Sequence, residues 1–132
     1  MNAGLLSGLL LIGVVLSACA PAPPETTYRN ASVDDLAAML ERGDDFLLVN
    51  THVPYEGHIE GTDDFWTFDD LPLDRLPADK DMRIVLYCRS GRMSAIAAQA
   101  LADLGYTDVT DIGGGMIAWQ RSGREVVNAT SD

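Results

Sequence analysis

One stretch limits what this chain can fold into. Arg83-Ile84-Val85-Leu86-Tyr87 is followed by Cys88-Arg89-Ser90-Gly91-Arg92, and then by an Ala-rich run from Met93 to Leu104. The first part is short, β-branched and aromatic, the pattern of a buried strand. In the last part Ile96, Ala97, Ala100, Leu101 and Leu104 recur at helical spacing, and Gly105 is placed to end the helix. A cysteine therefore stands where a strand hands over to a helix, on a tight turn with glycine at its middle.

The rest of the chain repeats this alternation. Ser32-Val33-Asp34-Asp35 reads as a helix cap with acidic residues in the first turn. Val33, Leu36, Ala37 and Leu40 form one apolar face, and Gly43 stops that helix. Phe46–Asn50 is a second buried strand, Thr51–Thr62 a polar loop, and Trp66 and Phe68 bracket a further possible strand. Asp108–Ile112 forms a last strand, and Gly113-Gly114-Gly115 turns into a short helix carrying Met116, Ile117 and Trp119. Alternating strands and helices imply an α/β fold with a parallel sheet covered on both faces. Ligands of such sheets bind beyond the carboxyl ends of the strands, which is where Cys88 falls.

The position of Cys88 has a chemical consequence. The first turn of a helix leaves N–H groups without partners, and the dipole adds positive character there. Both favour a thiolate over a thiol and can cradle an anion at the sulfur. Arg89 and Arg92 oppose the dipole at that helix start, a broken local rule that an anionic ligand between them would repair.

The N-terminal segment points elsewhere. Ala3 to Ala20 carries no charged residue, and its apolar core ends in Leu16-Ser17-Ala18-Cys19, which resembles the lipobox of bacterial lipoproteins. That resemblance implies a signal peptide over residues 1–18, lipid on Cys19, and an exported domain anchored to a membrane. No Lys or Arg precedes the apolar run, and an uncleaved N-terminal anchor is the alternative, since about 18 apolar residues just span a bilayer. A lipidated Cys19 is not available to pair with Cys88. Residues 19–31 read as a Pro-rich tether, whose Pro21-Ala22-Pro23-Pro24-Glu25-Thr26-Thr27 segment is extended and would hold the domain on the order of 20 Å from the anchor. The folded domain is expected over 32–127, with a tail over 128–132.

Twenty carboxylates against nine basic groups give a net charge of −11, which argues against nucleic acid held by general electrostatics. His52 and His58 with Glu56 and Glu60 do not supply the three or four convergent ligands of a zinc site, and no metal or cofactor is expected. Asp63, Asp64, Asp69 and Asp70 lack EF-hand spacing, and Gly113-Gly114-Gly115 lacks the ending of a phosphate loop.

From about Ser32 to Val127 the chain resembles a single rhodanese domain, the sulfurtransferase family. The matching stretches, in the family's order, are Leu47-Leu48-Val49-Asn50, Gly57-His58-Ile59-Glu60-Gly61, Tyr87–Ser94 and Gly114-Gly115-Met116-Ile117-Ala118-Trp119. The resemblance implies about five parallel strands flanked by helices on both faces. It implies that Cys88 takes a sulfane sulfur from a small sulfur-containing anion such as thiosulfate, or from a persulfide, and passes it to a thiol or cyanide-like acceptor. Cys88 to Met93 corresponds to the family's six-residue active loop, so Arg89, Ser90, Gly91, Arg92 and Met93 are the expected substrate-binding residues. Two departures stand out. Asn50-Thr51-His52 replaces an Asp-Val-Arg common in the family, and Met93 stands where many members carry arginine, which moves the expected anion contact to Arg92. Phosphatases on this fold use a loop one residue longer, and their arginine would fall at Ser94. A non-catalytic sulfur carrier or redox-sensing module is the main alternative, with a phosphatase or arsenate reductase behind it.

Overall fold

The computed structural model describes residue 4, residues 13–21 and residues 27–129. Most of the expected signal peptide, part of the tether (residues 22–26) and the end of the tail lie outside the described residues. The chain orders as β1 (Arg29–Ala31), α1 (Val33–Arg42), β2 (Leu47–Asn50), β3 (Asp64–Phe65), β4 (Ile84–Tyr87), α2 (Arg92–Asp103), β5 (Val109–Ile112) and α3 (Gly115–Arg121). The five strands form one parallel sheet in the order β1-β5-β4-β2-β3.

Side chains alternate across that sheet, as a two-residue period requires. Leu48, Val85, Tyr87 and Ile112 point to one face, where they pack with Leu36 of α1, Ile59, and Met116 and Trp119 of α3. Val49, Ile84, Leu86 and Val109 point to the other, against Ala97, Ala98 and Leu101 of α2, with Trp66 and Tyr106. The central strand β4 is buried throughout, which is why it reads as an unbroken apolar run rather than an alternating one.

Local signals set the helix ends. Ser32 and Asp35 exchange two hydrogen bonds in a capping box: Asp35 N–H donates to Ser32 Oγ at 3.1 Å and Ser32 N–H to Asp35 Oδ2 at 2.8 Å. The Ser32 N–H, and after it the Ser32 hydroxyl donating to Asp35 Oδ2 at 2.7 Å, hold the Asp35 carboxyl below its usual range. α1 stops at Gly43.

Two elements differ from expectation. Arg29–Ala31, at the end of the expected tether, pairs with Thr110–Ile112 as an edge strand. Its Arg-Asn-Ala sequence has no apolar alternation, so only the partner strand defines it. The third strand is Asp64–Phe65 rather than the stretch bracketed by Trp66 and Phe68. Trp66 is buried in the core just beyond it, with its indole N–H donating to Asp64 Oδ2 at 2.7 Å. Val127 forms an antiparallel bridge with His58, which ties the chain's end to the loop after β2.

Candidate active site

Cys88 is the first residue past β4, and the parallel arrangement gathers the carboxyl ends of β2, β3, β4 and β5 at the same edge. The strand end is pinned on two sides. The Thr51 N–H and hydroxyl both donate to the Tyr87 carbonyl, at 2.8 and 3.1 Å. The buried Tyr87 hydroxyl accepts from the Ile59 N–H at 2.9 Å and lies 2.6 Å from the Thr62 hydroxyl, so it holds the 57–62 loop.

The turn itself is clamped by α3. Unpaired N–H groups at a helix start need acceptors. Here Met116 N–H donates to the Cys88 carbonyl at 2.9 Å and Ile117 N–H to the Arg89 carbonyl at 3.0 Å. The approach is possible because residue 115 has no side chain. A Cβ there would fall on the Cys88 carbonyl oxygen and within 2.9 Å of the Arg89 carbonyl carbon. The triple-glycine turn is thus a contact surface for the cysteine loop.

The Cys88 side chain is buried, with the residue only 1% exposed, yet its sulfur faces donors. Gly91 N–H points at Sγ from 3.0 Å, and the Ser94 hydroxyl lies 3.4 Å from Sγ and 3.3 Å from the Gly91 carbonyl. Gly91 has φ of +102°, a left-handed conformation that other residues rarely adopt. The first helical bond of α2 is Ala95 N–H to the Gly91 carbonyl at 3.2 Å, so the N–H groups of Arg92 and Met93 belong to the open first turn beside it. An anion bonded to Sγ would meet partial positive charge from these groups.

The two loop arginines have different surroundings. The Arg89 guanidinium contacts both carboxylate oxygens of Glu56, at 3.1 and 3.2 Å. Glu56 also pairs with His52 Nε2. The hydrogen bond from His52, with Arg89 behind it, holds the Glu56 carboxyl below its usual range. His52 N–H in turn donates to Asn50 Oδ1 at 2.9 Å, and Asn50 Nδ2 donates to the Gly57 carbonyl at 3.0 Å. The departure at Asn50-Thr51-His52 therefore builds a loop staple that ends on Arg89. Arg92 is exposed and makes no ion pair among the described residues. Ser90 is exposed and Met93 half-buried, so Met93 contributes main chain rather than charge. His58 contacts the Tyr55 hydroxyl through Nδ1 at 2.7 Å. Among the described residues no three His, Cys, Asp or Glu side chains converge to hold a metal ion.

Two further residues were not singled out by sequence. Ser94 reaches the sulfur from the first turn of α2. Asp111, opposite Leu86 on β5, is 3% exposed, and its Oδ1 has no hydrogen-bond partner. Burial pushes its carboxyl up, with the nearby Ser94 hydroxyl offsetting part of the effect. An acidic residue inside a buried Val-Thr-Asp-Ile strand was the available signal. A cavity of about 670 Å³ lies at the opposite edge of the sheet, lined by Phe46, Arg83 and several aspartates but no Cys or Ser.

The chain is similar to known proteins. A family profile described as a rhodanese-like domain matches residues 32–122. A protein of Allochromatium vinosum named sulfurtransferase is 40% identical over 57 residues, which cover 43% of this chain and 51% of that one. Among solved structures, a rhodanese-like domain from Anabaena superposes with a TM-score of 0.65 at 24% identity, covering 80% of this chain and 89% of its own. A Rhodopseudomonas palustris protein described as a possible tyrosine phosphatase gives a TM-score of 0.60 at 27% identity, covering 75% and 84%. The chain spans about half or less of the length of the curated relatives it matches.

Proposed function

Because this chain belongs to the rhodanese-like domain family, we propose that it is a sulfurtransferase that carries a sulfane sulfur on Cys88. The observation behind this reading is the sulfur's setting: a Gly91 N–H at 3.0 Å and a Ser94 hydroxyl at 3.4 Å, at the head of α2. Both groups can donate to the attacking sulfur, and the form that attacks is the thiolate. The thiolate attacks the outer sulfur of the donor, the donor's S–S bond breaks, and the departing sulfite or thiolate takes the bonding pair. The new Cys88 persulfide leaves its terminal sulfur beside the open N–H groups of Arg92 and Met93. Attack on that sulfur by an acceptor thiolate or cyanide returns the Cys88 thiolate, and no electrons are drawn from outside.

The charge layout supports Arg92 as the anion's cationic partner, since Arg89 is already held by Glu56. The phosphatase reading, which the Rhodopseudomonas palustris neighbour raises, meets Ser94 where an arginine should enclose phosphate. A hydroxyl offers no bidentate fork for a phosphoryl group. We further assign Cys19 as a lipid attachment point, supported by its exposed, unpaired thiol and the exposed Val14, Val15 and Leu16 before it. No described helix is long and apolar enough to cross a membrane.

Turnover with thiosulfate and cyanide tests the enzymatic reading. Thiocyanate should form catalytically with the wild type and with Cys19→Ser, and not with Cys88→Ser. A single sulfur loaded onto Cys88 without turnover would instead identify a carrier, and hydrolysis of a phosphate ester dependent on Cys88 would overturn sulfur transfer.

A further inference from the structure

Charge pairing singles out a second cation near the cysteine loop. Of the nine Lys and Arg residues, six pair with carboxylates and Lys80 lies over the Tyr106 ring. Among the described residues, Arg92 and Arg121 alone are left without such a partner, in a chain with more than twice as many carboxylates as cations. Arg92 opens α2 at the cysteine loop. Arg121 ends α3, the helix whose first turn clamps that loop.

Arg121 also lines a cavity of about 500 Å³ with Ser90, Gly114, Ile117, Ala118 and Ser122. Ser90 belongs to the cysteine loop, so the cavity shares a wall with the loop that carries Cys88. Ile117 and Ala118 give it an apolar wall. Ser122 also lines it, its hydroxyl donating to the Trp119 carbonyl and accepting from Arg124. Arg121 is the only charged group in the lining, and it lies about 6 Å along α3 from Ile117, whose N–H binds the Arg89 carbonyl. Its charge also suits the carboxyl end of a helix. That accounts for a cation at this position, but not for its having no ion pair among the described residues.

We propose that this cavity is a subsite for an organic persulfide bearing a carboxylate, with Arg121 as the residue that reads that charge. This rests on the sulfur-transfer reading of Cys88 and narrows the donor class. Thiosulfate carries its charge on atoms next to the transferred sulfur, where the loop N–H groups and Arg92 suffice, and it leaves the cavity beside Ser90 empty. An organic persulfide R–S–SH places its sulfane sulfur at Cys88, its carbon skeleton on Ile117 and Ala118, and its carboxylate at Arg121. Cys88 thiolate attacks the outer sulfur, the donor's S–S bond breaks, and R–S⁻ leaves with the pair. The products are the Cys88 persulfide and the carboxylate-bearing thiol.

The test uses matched donors, the persulfides of N-acetylcysteine and of its neutral amide, with thiosulfate as a third. The rate of sulfur addition to Cys88 is followed by intact mass at subsaturating donor in the full chain, Arg121→Gln and Arg121→Lys. The wild type should load from the acid about fivefold faster than from the amide, a size set by one exposed charge pair. Arg121→Gln should bring that ratio close to one, Arg121→Lys should keep most of it, and added salt should lower it. An acid-to-amide ratio equal in wild type and Arg121→Gln overturns the subsite while loading itself stands. Failure of all three donors to load wild-type Cys88 overturns sulfur transfer, and the subsite with it.

Discussion

Replacing Gly115 by alanine should unseat the cysteine loop. Residue 115 has φ of +50°, where a left-handed backbone costs a non-glycine residue roughly 1–2 kcal/mol. The added methyl would also fall on the Cys88 carbonyl, 2.8 Å from its carbon and 2.9 Å from the Arg89 carbonyl carbon. Those are main-chain atoms that cannot swing aside, so α3 must retreat by about 1 Å to reach ordinary carbon contact. The Met116 and Ile117 hydrogen bonds, now 2.9 and 3.0 Å, would then stretch beyond bonding distance. Losing both costs about 1 kcal/mol each, for a total of roughly 3–4 kcal/mol. Gly123→Ala is the control: its φ is +87°, but a Cβ there meets nothing within 4 Å, so it bears only the conformational cost. Urea unfolding of the two variants should differ by about 2 kcal/mol. Gly115→Ala should also load sulfur more slowly than Gly123→Ala. Equal stability and equal loading would refute the clamp.

Two other outcomes follow from local physics. Asp111 has its carboxyl raised by burial, so the folded state holds that proton more tightly than the unfolded chain. Below the ordinary carboxyl range both states are protonated and no penalty exists; stability falls as pH rises through the native value. Asp111→Asn should therefore match the wild type in acid and exceed it at neutral pH by about 1 kcal/mol or more. Urea unfolding at several pH values checks this, and a gap independent of pH would contradict it. Ser32→Ala removes the hydroxyl that accepts from Asp35 N–H and should lower stability by about 1 kcal/mol, measured by thermal or urea unfolding.

Strand–turn–helix around Cys88 was legible because its signals are local: an apolar run, a glycine, then helical periodicity. The same holds for α1, whose Ser32 and Asp35 sit three apart. The sheet's edges were not. β1 is three residues without a pattern, and β3 is two residues whose neighbour Trp66 carries the hydrophobic signal into the core. The site divides in the same way. Gly91 as the turn residue was readable, but the partner of Arg89 was not, because Glu56 is 33 positions away and is brought in by the Asn50–His52 staple. Gly113-Gly114-Gly115 is legible only as a turn into a helix, and the approach of the Cys88 carbonyl shows why position 115 excludes a side chain. Asp111 was a visible anomaly in an apolar strand, while the cavity at Arg121 depends on how α3 lies against Ser90.

The central claim is that the Cys88 sulfur, faced by main-chain and hydroxyl donors, is the nucleophile that takes up a sulfane sulfur. Intact-mass measurement of the full chain before and after thiosulfate tests it most directly. The wild type should gain the mass of one sulfur atom, Cys88→Ser none, and cyanide should remove what was gained. A wild-type mass unchanged by thiosulfate and by organic persulfides alike, or a gain that persists in Cys88→Ser, would contradict the account.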